Sequence, residues 1–184
     1  DMYLTDEGKN IETRRGYSRY LTLLLREAGY EDPNAAAIRV LALETAIARA
    51  HWDRTVGRNR NLTYNKMSKA GLISLGGNFP VEAMLDSLDI ADQTQFVVRQ
   101  LTPDEAEISE LGLTEEQVAK ISGGGIGGIM ALMASADLSD WKAYLSAHFL
   151  SDHASVLPAN IDQASFEFYS KQLRGQEQQR PRWK

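Results

Sequence analysis

Apolar residues recur one helical turn apart along most of this chain, and that period restricts it to a fold of packed helices. Tyr17, Tyr20, Leu21, Leu24 and Ala28 form one apolar stripe on a helix expected over residues 11–28, with Gly29 placed to end it. Asp32 and Pro33 then supply an N-cap and a first helical residue. The helix they open is expected to reach about residue 54. Its Ile38, Val40, Leu41, Leu43, Ile47 and Trp52 make it apolar around much of its circumference, so it belongs at the centre. Arg49 and Asp53, one turn apart, are placed to pair.

Residues 56–66 are polar, carry Gly57 and several Asn, and predict a loop. Ser68 caps a short helix ending near Gly76 and Gly77, and another follows Phe79-Pro80. Residues 95–101, with Phe96-Val97-Val98, are the best strand candidate; the segment is short and alone, so a large sheet is not expected. Thr114 to Gln117 fits a capping box. The glycines of 123–128 break any helix. Leu138-Ser139-Asp140 opens another helix, whose Trp141, Tyr144, Leu145, His148 and Phe149 form a stripe. Asn160 is placed to cap a last helix through Phe166, Tyr169 and Leu173 to Gly175. The expected fold class is mainly α, a multi-helix lobe with at most a short strand or hairpin, forming a single helical domain over 1–184. Residues 1–10 and 176–184 are approach and exit segments.

The composition is that of a globular protein, 43% hydrophobic and 24% charged. A chain of 184 residues buries roughly 70% of its unfolded surface, enough for a core without staples. No cysteine is present, so disulfides and thiolate metal sites are excluded. No apolar run approaches the roughly 20 residues of a membrane helix, so no membrane segment is expected. The net charge of −5 argues against nucleic acid as the main partner. From Gly71 to Ala119 Arg99 is the only basic residue, against ten acidic ones between Glu82 and Glu116. That stretch reads first as a solvated acidic face and second as a patch for a basic partner.

Candidate chemistry is sparse. A helical zinc site presents two His one turn apart with a Glu between them. The three His are His51, His148 and His153. His148 and His153, five residues apart, point roughly 140° away from each other on a helix, so no metal ligands are assigned. His148 reads as a core or boundary residue and His51 as a cation near a helix end. The glycine cluster lacks the Lys-Ser/Thr pair of a phosphate loop. No serine stands in a nucleophile elbow, so no catalytic residue is assigned. Arg54, Arg58 and Arg60, among Asn59, Asn61 and Tyr64, read as a solvated loop. Asn61-Leu62-Thr63 matches a glycosylation acceptor, meaningful only in a secretory setting.

Several motifs, in order, resemble the N-terminal region of neprilysin-family zinc endopeptidases, which include endothelin-converting enzymes and bacterial oligopeptidases. Asp1-Met2-Tyr3-Leu4 is similar to a D-x-Y-L motif, Leu43-Glu44-Thr45-Ala46-Ile47-Ala48 to L-E-x-x-I-A, and Arg54 with Tyr64-Asn65-Lys66-Met67 to R…Y-N-x-M. Asp140-Trp141-Lys142-Ala143-Tyr144-Leu145 is similar to D-W-K-x-Y-L, the run from Phe166 to Gly175 to F-x-F-Y-x-x-x-L-x-G, and Arg180-Pro181-Arg182-Trp183 to R-P-R-W. Residues 102–128 depart from the family pattern. The resemblance implies a fragment of a two-lobed, mainly helical metalloendopeptidase whose zinc, His pair and Glu base lie in a catalytic lobe beyond this sequence. This chain would be the non-catalytic lobe that covers the cavity and restricts access to small peptides. On that reading it carries no cofactor, no catalytic residue and no assigned substrate-binding residue; its partners are the catalytic lobe of the same polypeptide and, in the parent, small peptides. Tyr64, Asn65 and Trp141 would serve packing and turns. The lack of cysteine suggests a bacterial parent, periplasmic or secreted, with a cytoplasmic setting as the alternative. The competing reading is a stand-alone helical protein-binding module that uses the acidic 71–119 segment.

Overall fold

The structure, a computed structural model, describes residues 2–179. It is mainly α, as the periodicity predicts, with one two-stranded sheet among the described residues. The chain divides into two compact units. One takes the residues up to 45 and those from 137 onward; the other is residues 46–136.

The first unit is built on helix α1, Gly8–Glu27. Tyr17, Tyr20, Leu21, Leu24 and Leu25 are buried on one face. Leu25 takes the place expected for Ala28, which is exposed because the helix has already ended. The end is a Schellman motif. Gly29, at φ 82°, donates its N–H to the Arg26 carbonyl, and the Tyr30 N–H reaches the Leu25 carbonyl at 3.0 Å. Helix α2, Pro33–Ala50, starts where expected, with the Asp32 carboxylate accepting from the Ala35 N–H at 2.9 Å. Ala36, Ala37 and Val40 are fully buried, but Ile38 is 65% exposed, so α2 is not apolar all round.

At the far end of the chain, α9 (Leu138–Asp152) and α10 (Ala159–Ser165) pack on α1. The expected stripe of α9 is corrected: Ala143 and Ala147 are buried, whereas Leu145 and Phe149 are each 61% exposed. Small alanines face inward because the Tyr17 and Tyr20 rings already fill the interior. Asn160 does not cap α10; Pro158 stands at the cap and Asn160 donates to Glu27 at 2.9 Å. From Phe166 to Gln172 the helix widens to π geometry. Phe168 there stacks on Tyr17 and Tyr20, with centroids 5.2 and 5.7 Å away.

In the second unit α2 stops at Ala50, short of residue 54. The backbone of Gly123 closes on the last carbonyls of α2, where a Cβ would overlap the Arg49 oxygen. Arg49 and Asp53 do not pair, and Asp53 instead accepts from the Thr55 N–H at 2.8 Å. Residues 56–66 are not a plain loop. They form a 3-10 turn, Val56–Arg58, then α3 (Arg60–Thr63) and the start of β1 (Asn65–Ser68). After β1 come α4 (Lys69–Gly76), capped by Ser68, and α5 (Val81–Ser87). Strand β2, Gln95–Val98, pairs antiparallel with β1 in the register Lys66↔Val97, so the expected strand is not alone. Its partner has few β-branched residues, and the pairing itself holds it extended.

Two capping boxes follow, at Asp104 before α6 (Glu105–Glu110) and at Thr114 before α7 (Glu115–Ile121). The glycine cluster ends one helix and begins another, since α8 spans Gly125–Ser135. Glu115–Ser135 does reach the length and mean hydropathy (1.3) of a membrane span, contrary to the expectation that no run comes close. It is divided into α7 and α8 by Gly124 in the left-handed region. Gly125, at φ 53°, lies so near the Gln100 carbonyl that a Cβ would overlap its oxygen.

Gly125→Ala therefore meets both a left-handed φ and fixed backbone, and is expected to cost about 3 kcal/mol. Gly57→Ala, which meets no atom within 4 Å, should stay within about 0.5 kcal/mol. Thermal melting of the two variants checks the contrast.

Candidate functional site

The densest polar cluster of the first unit centres on Glu44. It lies on α2, one turn past Val40, and is only 6% exposed. A polar group so buried needs hydrogen-bond partners. Three donors meet it. The Tyr17 hydroxyl of α1 donates to Oε1 at 2.7 Å, and His148 Nε2 of α9 contacts the same oxygen at 2.8 Å. The Tyr3 hydroxyl, before α1, donates to Oε2 at 3.3 Å. Because a carboxylate only accepts, Nε2 carries the proton of that contact.

The environment shifts its neighbours in consistent directions. Burial first, then the Glu44 charge, raises the Tyr17 and Tyr3 hydroxyls well above the ordinary tyrosine range, so both stay neutral donors. The hydrogen bond to Glu44 raises the His148 imidazole, partly opposed by burial. Tyr144, raised by burial and by Glu44, packs against the His148 ring at 4.2 Å. Trp141 meets Tyr144 edge-on at 5.7 Å, which is a packing role. Among the described residues no serine or threonine hydroxyl bonds to Glu44 or His148. The cluster ties three segments, those of Tyr3, Tyr17 and His148, to α2.

The sequence-predicted residues fall elsewhere. His153 follows α9 and its Nδ1 bonds the Phe149 carbonyl oxygen at 2.8 Å, so it does not converge with His148. His51 lies past the end of α2, its Nδ1 3.2 Å from Gln100 Oε1. Arg54, Arg58 and Arg60 are exposed, and Asn59 caps α3 through the Asn61 N–H. Asn65 holds a turn, its Nδ2 donating to the Leu62 and Val98 carbonyls at 3.0 and 3.1 Å. Tyr64 is 61% exposed. The glycine cluster packs on the backbone: Gly125 is pressed on Gln100, and the Ile126 N–H donates to the Gln100 carbonyl at 3.0 Å. Among the described residues no three His, Cys, Asp or Glu gather as a metal-binding group. In the sequence Glu44 stands out only as part of the Leu43–Ala48 motif. Its signal was a lone acid amid the apolar residues of α2.

The second unit carries an apolar groove of about 320 Å³, lined by β2 with the two residues after it, by α8, and by Leu72 and His51.

A mainly helical fold organised by a buried structural carboxylate is the class this geometry defines. The family profile for the N-terminal part of peptidase family M13 matches residues 1–184, and the chain belongs to that family, as the motifs indicated. The fold is similar to Mycobacterium tuberculosis zinc metalloprotease Zmp1 in its open state, with TM-score 0.75 and 24% identity over all of this chain. The same protein with an inhibitor gives TM-score 0.75 and 24% identity, again over the whole chain. Its partial open state gives 0.66 and 26% over 96% of the chain. The chain spans only 26%, 25% and 24% of the chains in those three structures. No curated protein sequence matches it.

Tyr17→Phe removes a donor from a buried carboxylate and is expected to cost about 2 kcal/mol; Tyr3→Phe, at the longer contact, should cost about 0.5 kcal/mol. Chemical denaturation of both variants checks the order. The raised His148 has a signed consequence. Protons bind the folded state more tightly, so its contribution is complete below the unfolded value of 6.5 and fades as pH rises through the higher folded value. The melting-temperature gap between wild type and His148→Gln should therefore be widest at mildly acidic pH and shrink in alkali. A gap that widens with pH contradicts the assignment.

Proposed function

We propose that this chain is the non-catalytic lobe that covers the catalytic cavity of a zinc metalloendopeptidase and restricts it to small peptides. The observation that carries the reading is the match of residues 1–184 to the N-terminal part of family M13. The absence of any His-Glu-x-x-His in the sequence agrees with it. Zinc, held by the catalytic lobe of the same polypeptide, would supply an activated water for attack on the peptide bond. The residues described above would act by exclusion. Helices fixed around α2 form a rigid wall, and a wall selects substrates by size and flexibility before any chemistry begins. A lobe with this task gains from internally satisfied polar groups such as Glu44, because movement of the wall would admit larger chains.

The chain alone with added zinc should give no chelator-sensitive cleavage of a fluorogenic peptide. Joined to its catalytic lobe, it should cleave short peptides far faster than unfolded polypeptides. Equal rates on both would overturn the covering role.

A further inference from the structure

Strand β2 has one edge that β1 leaves unpaired. The Lys69 N–H donates to the Thr94 carbonyl at 3.0 Å, which makes that pair a hydrogen-bonded one. Bonded and unbonded pairs alternate in an antiparallel ladder, so Phe96 and Val98 bond to β1. The backbone groups of Gln95, Val97 and Arg99 therefore point the other way, and none of them bonds elsewhere in the backbone among the described residues. Val97 is 54% exposed. Free edges of this kind are usually blunted by charge, proline or a covering element. Here the apolar groove takes its lining from β2 and none from β1, with Leu72, Ile126, Ile129 and Met130 completing it.

The groove has a polar marker. Arg99 stands at its margin, the only cation between Gly71 and Ala119. It makes no ion pair among the described residues, and its Nη2 donates to the Gly57 carbonyl at 3.3 Å. Next along the chain, Gln100 is held at φ 54°, in the left-handed region that a residue with a side chain rarely adopts. It is kept there by the Trp52 N–H, which donates to its Oε1 at 3.0 Å. The strand thus ends abruptly at the groove, where the Gln100 carbonyl is taken by the Ile126 N–H.

We propose that this groove is a docking site for an extended peptide segment that adds to β2 as a third strand. Its alternate aliphatic side chains lie in the apolar trough and a carboxylate of the segment pairs with Arg99. Backbone bonds to Val97 and Arg99 give the grip, and the trough and the guanidinium give the selectivity. The site stands apart from the covering role, since it depends only on this chain binding a peptide and not on cleavage.

The test titrates the purified chain with a short, end-blocked peptide of alternating valine and threonine carrying one aspartate, observed through backbone amide chemical shifts. Saturable binding should move the amides of Val97, Arg99 and Ile126. N-methylating one alternate set of peptide amides should weaken binding about tenfold, and the other set should leave it unchanged. This pair of probes leaves the protein's fold untouched. Arg99→Gln, shown by its melting temperature to be folded, should lose about fivefold for the aspartate peptide and nothing for its asparagine twin. Absence of saturable binding, equal loss with either methylated set, or an Arg99→Gln effect that ignores the carboxylate would each overturn the proposal.

Discussion

A single buried carboxylate organises the first unit. Glu44 needs hydrogen-bond donors in an apolar interior, and it draws them from 41 and 27 residues earlier in the sequence and from 104 residues later. Apolar packing alone would tolerate α1 and α9 sliding along α2 with modest loss, because dispersion contacts have little direction. Hydrogen bonds to fixed oxygens do not tolerate such a shift. The aromatic layer of Tyr17, Tyr20 and Phe168 supplies bulk burial, and the Glu44 contacts set the register in which it is buried.

The second unit is held by different means. No buried charged residue is found among those described there. Its order comes from backbone meeting backbone: Gly123 on the end of α2, Gly125 on the Gln100 carbonyl, and β1 on β2. Glycine is required at the first two because a side chain would collide with main-chain atoms that cannot move aside. The strain at Gln100 is tolerated because its side chain and its carbonyl are both hydrogen-bonded. Residues 102–128, where the motifs of the family fade, turn out to be capped helices followed by this tight glycine junction.

The covering role we propose would gain from a rigid, internally satisfied framework such as the Glu44 cluster. The peptide docking proposed for the edge of β2 would make a separate use of the second unit. His51, His148 and His153 each bond a different partner among the described residues.

Periodicity, capping residues and the Asp32-Pro33 and Ser68 signals were enough to place α1, α4, α9 and the start of α2, because the bonds that define a helix are local and its start is written in a few adjacent residues. The family was legible too, since ordered motifs such as Leu43-Glu44-Thr45-Ala46-Ile47-Ala48 survive in the string itself. Tertiary structure alone decided which stripe of α9 faces inward, that residues 65–68 form a strand, and that Glu44, Tyr3, Tyr17 and His148 meet. Those outcomes depend on partners tens of residues away, and a local pattern carries no record of which distant surface will fill the space beside it.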